Sequence, residues 1–149
     1  MKVSNNFTIQ EFVPPQIYSL FRGDERCLWY IDRRIILGTQ LLRDILDSPL
    51  MANNWHTGGP YSERGYRIPT TKTGAKFSQH KLSKAIDLSS DKYTPAQILE
   101  AMRANFDKFK ELGILTVENL EFTPTWLHMD CRQPLSTYPK NDFFIVDPA

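Results

Sequence analysis

Two short segments carry donor side chains that a fold must bring together. The first is Ser78-Gln79-His80-Lys81-Leu82-Ser83-Lys84-Ala85-Ile86-Asp87; the second, further along the chain, is Trp126-Leu127-His128-Met129-Asp130. A bend between His80 and Asp87 can turn both side chains toward one point, and His128 stands where a second strand can add a third donor. Two imidazoles and a carboxylate with a fourth position left open is the arrangement of a catalytic zinc. The offset from His80 to Asp87 is not that of a helical His-Glu-x-x-His pair, so the ligands must come from a loop and a strand.

The surrounding pattern supplies those elements. Ala85, Asp87 and Ser89 alternate with Ile86 and Leu88, which predicts a strand over residues 84–88 with Asp87 turned away from the apolar side. Ile114 to Phe122 and Trp126 to Arg132 form two β-rich runs around Thr123-Pro124-Thr125, predicting a hairpin. On its second strand His128, Asp130 and Arg132 share one face, and Leu127, Met129 and Cys131 the other. Upstream, Thr8 and Glu11 make a capping box ahead of Pro14-Pro15, and Pro15 opens a short turn through Leu20. Ile31, Ile35, Leu42, Ile45 and Leu46 recur at helical spacing, with Gly38 on that face and Pro49 past the end. A second helix is expected from Thr94-Pro95-Ala96-Gln97, through Leu99, Met102, Phe106 and Phe109, to a stop at Gly113. Residues 53–76 are rich in glycine and polar side chains, predicting a long loop, and loops of that length commonly line a site. Phe143-Phe144-Ile145-Val146 suggests an added edge strand. The expected fold class is α+β: an antiparallel sheet with helices packed on one face and the zinc site on the other.

The chain's 149 residues suit a single domain, 1–149, able to bury roughly two-thirds of its unfolded surface. Its net charge of +1, with Lys, Arg, Asp and Glu interspersed, gives no basic stripe for nucleic acid. No run nears the ~18 apolar residues of a membrane span, and Met1 to Asn6 lacks the apolar core of a secretory signal. A soluble protein made in the cytoplasm is expected, with Cys27 and Cys131 reduced rather than bridged.

Each donor has an ordinary alternative. A strand histidine such as His128 is usually hydrogen-bonded or exposed, His80 alone would be an unremarked loop residue, and Asp87 a strand-end carboxylate. His56, beside Trp55 and Gly58-Gly59, is expected to make a loop contact rather than bind metal. Cys131 falls on the apolar face and is expected in the core. For a general base beside the metal, the candidates are Glu118 and Glu121. If Thr123, Pro124 and Thr125 form a three-residue loop, Leu120 faces His128 and Glu118 faces Asp130, with Glu118 on the metal side. A two-residue loop would instead bring Glu121 opposite His128 and turn Leu115 and Val117 out of the core. The register favours Glu118, and Asp130 then braces a metal-bound histidine.

Ser78, His80, Ala85, Asp87 and His128 together resemble the Ser-x-His-x-x-Gly-x-Ala-x-Asp and aromatic-x-His signature of zinc peptidases of the D-alanyl-D-alanine carboxypeptidase and L-alanyl-D-glutamate endopeptidase type. Gly65-Tyr66-Arg67, the Phe7 to Phe12 opening and Thr123 to Trp126 extend the resemblance over most of the chain. The departure is Ser83, where the family usually has a glycine that permits positive φ. The resemblance implies zinc on His80, Asp87 and His128, and Arg67 and Ser78 at the substrate, beside the Glu118 base that the register favours. It further implies hydrolysis of a peptidoglycan stem-peptide amide by a phage lytic or virion-associated enzyme, which acts on the wall after release or beside other virion proteins. The hedgehog signalling domain resembles the same family, so a zinc-binding module without hydrolysis is the rival expectation.

Overall fold

The computed structural model describes residues 1–133, 135 and 139–148. These form a four-stranded sheet and four α-helices, an α+β architecture. The strands are β1 (Ala85–Leu88), β2 (Thr116–Glu118), β3 (Leu127–Asp130) and β4 (Phe144–Val146), in the spatial order β1-β3-β2-β4. β3 pairs antiparallel with β1 and β2, as expected, but β4 runs parallel to β2, so the sheet is mixed rather than antiparallel. The cause is where the tail is anchored. Phe143 is buried edge-on against Phe106 and Phe109, with ring centroids 4.9 and 6.0 Å away. Residues 106–111, the helix that carries both of those rings, lead through Gly113 into the start of β2, so β4 begins beside the start of β2 and must run the same way.

The helices are α1 (Pro15–Leu20), α2 (Arg33–Leu46), α3 (Pro95–Arg103) and α4 (Phe106–Glu111). α2 starts at Arg33 rather than Ile31 because the Asp32 carboxylate accepts the Arg34 N–H at 2.9 Å and takes the cap position. Gly38 brings α2 close to the sheet: a Cβ there would stand 2.0 Å from Ile114 Cδ1 and 3.6 Å from Met129 Cε. α3 opens with the capping box expected of Thr94 and Gln97. The single helix expected from Thr94 to Gly113 is divided into α3 and α4 at Ala104 and Asn105. Asn105 donates its side-chain amide back to the Ala101 carbonyl at 3.0 Å, a local bond of the kind that competes with helix continuation.

Ile86, Leu88, Val117, Leu127 and Met129 fill the helix-facing side of the sheet and are fully buried. Their cluster extends from Phe7 and Phe12 near the start of the chain to Phe143. Asp87, Glu118, His128 and Asp130 project to the opposite side. Among the described residues, no helix is long and apolar enough to cross a membrane.

Candidate metal centre

Asp87 and His128 are direct partners across the β1 and β3 ladder, and the alternation of both strands aims them at the same face. His80 arrives from the other direction, on a 3-10 turn, Gln79–Leu82, whose cap is Ser78: its Oγ accepts the His80 N–H. Ser83 closes that turn in the left-handed region at φ 67°. All three side chains are buried, and one atom from each forms a small triangle. His128 Nδ1 lies 2.8 Å from Asp87 Oδ1 and 3.1 Å from His80 Nε2, and the remaining side, His80 Nε2 to Asp87 Oδ1, is 3.2 Å. His80, Asp87 and His128 therefore could hold a metal ion.

The outer nitrogens are fixed by other partners. His80 Nδ1 is 2.7 Å from the Gly65 carbonyl, to which it donates, leaving Nε2 as the inward lone pair. His128 Nε2 donates to Asp130 Oδ2 at 3.1 Å, and Asp130 is in turn gripped by Arg132, through Nε at 2.9 Å and Nη2 at 2.5 Å. Such partners set the tautomer and the aim of metal-binding imidazoles. The contact with a site histidine that the sequence leads one to expect of Asp130 is thus present.

Charge in the group is strongly redistributed. Burial alone would raise the Asp87 carboxyl, but the adjoining His80 and His128 imidazoles outweigh it and hold Asp87 well below the usual carboxylate range. Burial lowers His80. Burial would lower His128 too, yet its bonds to Asp130 and Asp87 prevail and raise it to about 9. His128 Nδ1 thus faces two acceptors, Asp87 Oδ1 and the His80 Nε2 lone pair. Those two atoms stand 3.2 Å apart, and a cation among the three would be attracted by all of them.

Of the other residues expected at the site, Glu118 is on the predicted face but in a different register. β2 ends at Glu118, and residues 119–126 connect it to β3, in place of a hairpin loop of Thr123, Pro124 and Thr125. Thr116 pairs with Asp130 and Val117 with Met129, which sets Glu118 across from His128 rather than from Asp130. Asn119 causes the early exit: its Oδ1 accepts the Glu121 N–H and its carbonyl accepts that of Phe122. The slip is two residues, so the side-chain faces are unchanged. Glu118 Oε1 lies 3.8 Å from His128 Nδ1, whereas Glu121 is exposed in the connection.

Arg67, Ser78, His80, Asp87 and Glu118 all line one cleft of about 250 Å³, walled also by Phe77, Phe122, Trp126 and Arg132. Arg67 Nη2 donates to Asp87 Oδ2 at 2.8 Å and its Nε to the Glu63 carbonyl at 2.6 Å. His56 is exposed on the 3-10 turn Trp55–Thr57, outside the ligand group. Cys27 and Cys131 are buried and unbridged, and burial pushes the Cys131 thiol up to about 12.

Comparison with known protein families, with curated proteins and with solved structures found no match. The site therefore has to be argued from its own chemistry. Sequence reasoning assigned no part to Arg132 or to the Gly65 carbonyl. Arg132 was legible in principle, since it shares a strand face with His128 and Asp130. The Gly65 contact was not, because a backbone carbonyl leaves no trace in residue identity.

Proposed function

We propose that the chain is a zinc peptidase that hydrolyses an amide bond in peptidoglycan stem peptides, in a phage lytic or virion-associated setting. The observation that carries this reading is the buried triangle of His80, Asp87 and His128 with the Glu118 carboxylate at its edge, open to a cleft. Two imidazole nitrogens and a carboxylate oxygen are a borderline-to-hard set that suits zinc. On a tetrahedral ion with bonds of about 2.0–2.2 Å the ligand atoms would stand roughly 3.3–3.6 Å apart. The triangle's sides of 2.8, 3.1 and 3.2 Å are shorter, so the side chains would need to part by roughly 0.1–0.8 Å. Bound there, zinc supplies a Lewis acid that polarises an amide carbonyl and makes water acidic enough to attack near neutral pH.

The protein's own groups supply the rest. Glu118 Oε1 takes a proton from the attacking water and passes it to the departing amine nitrogen. Asp130 and the Gly65 carbonyl hold the imidazoles in the tautomers that aim Nδ1 of His128 and Nε2 of His80 inward. Arg67 holds Asp87 Oδ2, which leaves Oδ1 turned toward His80 and His128, where it would meet the ion. The choice of peptidoglycan as substrate rests on the motif resemblance around Ser78 to Asp87 and Trp126 to His128.

The test pairs metal analysis with mass spectrometry of digested muropeptides for the wild type, His80→Ala and Glu118→Gln. One zinc per chain and peptide cleavage are expected of the wild type, and loss of both in His80→Ala. Glu118→Gln should keep the zinc and slow cleavage by roughly 10²–10⁴-fold. Zinc without any cleavage in the wild type would replace this reading with that of a binding module.

A further inference from the structure

We infer that Arg132 is the specificity-determining residue of the cleft, gripping a carboxylate of the peptide substrate, whereas Arg67 is a positioning residue for Asp87. The inference deepens the peptidase reading and rests on it for the identity of the peptide. Among the described residues lining the cleft, the cationic side chains are Arg67 and Arg132. They differ in what their guanidinium groups face.

Arg67 is turned into the protein. Its side chain is only 13% exposed, Nε and Nη2 are committed to the Glu63 carbonyl and to Asp87, and Nη1 lies so close under Gly74 that a Cβ there would be 2.7 Å from it. A substrate carboxylate reaching Arg67 would have to compete with Asp87, a buried anion already in place. Arg132 is oriented otherwise. One edge of its fork, Nε and Nη2, is held by Asp130, and the side chain remains 29% exposed on the cleft wall. Its Nη1 has no hydrogen-bond partner among the described residues. Asp147, a carboxylate of the same wall, accepts instead from Asn119 Nδ2 at 3.1 Å.

A guanidinium fixed along one edge and open along the other is a pre-organised carboxylate receptor, since the entropy of orienting the side chain is already lost to the Asp130 contact. The same contact ties recognition to the metal ligands, because Asp130 also holds His128 Nε2. The carboxylate can be a peptide's C-terminus or the side chain of an acidic residue, and the two are separable with probes.

The experiment measures binding by calorimetry to the metal-free and zinc-loaded protein. Two pairs of probes are used: acetyl-D-alanyl-D-alanine with its C-terminal amide, and acetyl-L-alanyl-D-glutamate amide with its D-glutamine counterpart. In the wild type one acid should bind roughly 10- to 100-fold tighter than its uncharged partner, as for a hydrogen-bonded charge pair, and the pair showing this names the source of the carboxylate. The preference should vanish in Arg132→Gln and shrink in Arg132→Lys, while Arg67→Gln weakens zinc binding and leaves the acid-to-amide ratio unaltered. Equal binding of acid and uncharged partner in both pairs, a preference that survives Arg132→Gln, or one abolished by Arg67→Gln would overturn the assignment. If Arg132→Gln fails to fold, an unaltered preference in Arg132→Lys overturns it equally. An Arg132-dependent preference in a protein that cuts no peptide would remove the peptidase reading and leave the carboxylate site standing.

Discussion

Individual side chains at the centre respond to pH in ways that follow from their surroundings. His128 is raised to about 9 in the metal-free protein, above the ~6.5 of a free imidazole. It therefore adds stability that is complete below about pH 6.5 and is lost as pH climbs through about 9. Asp87 is lowered, so its contribution holds above about pH 4 and disappears on acidification. A zinc ion bound as proposed would have to displace the His128 proton, so at neutral pH its uptake should release about one proton per ion, and affinity should fall about tenfold per unit of decreasing pH between 8 and 7. Calorimetry in buffers of different ionisation enthalpy checks this; no proton release would show that His128 is neutral before the metal arrives. Ser83 gives a separate prediction. It holds φ 67° with a Cβ, next to the turn bearing His80. Ser83→Gly should relieve that strain, partly offset by greater freedom of the unfolded chain, for a net gain of up to about 1 kcal/mol. Urea unfolding measures it, and a loss of stability would contradict the strain argument.

Among the elements, residues 64–67 matter more than their irregular shape suggests. The Arg64 carbonyl accepts the Asp87 N–H, the Gly65 carbonyl accepts from His80 Nδ1, and the Arg67 N–H donates to the His80 carbonyl. Two of the three candidate ligand residues are thus positioned by one stretch of loop backbone. Gly65 makes the approach feasible, since a Cβ would lie 2.2 Å from the Phe12 carbonyl oxygen, a backbone atom that cannot swing aside. Gly65→Ala should shift this stretch and weaken zinc binding by roughly 10–100-fold, in line with the loss of other partners to metal-bound histidines. Equal affinity in a competition titration would mean that the loop does not set the ligand geometry. The faces of β1 and β3 were legible in the sequence because alternation depends only on residue parity. The register of β2 was not, because Asn119 ends the strand through its own side chain and moves the turn forward. Parity survived that two-residue slip, so Glu118 still reached the predicted face. The break between α3 and α4 was hidden for a similar reason: neither Pro nor Gly marks it, only the Asn105 amide bonding backward.

Across the molecule, the sheet is a partition. Its apolar side takes α2 through Gly38 and α3 through Ile98 and Met102, and its polar side carries the donors. That division, the α+β class and the meeting of His80, Asp87 and His128 could be anticipated from periodicity and motif. The parallel entry of β4 could not, since it depends on Phe143 docking against Phe106 and Phe109, a packing choice with no local signal. The account stands on the claim that three distant segments converge to bind one divalent ion. Titration of zinc into the metal-free wild type and into Asp87→Ala tests it. One ion bound tightly per wild-type chain, with that binding abolished in Asp87→Ala, is the result predicted. Absence of binding in the wild type, or an identical isotherm in the variant, would contradict it.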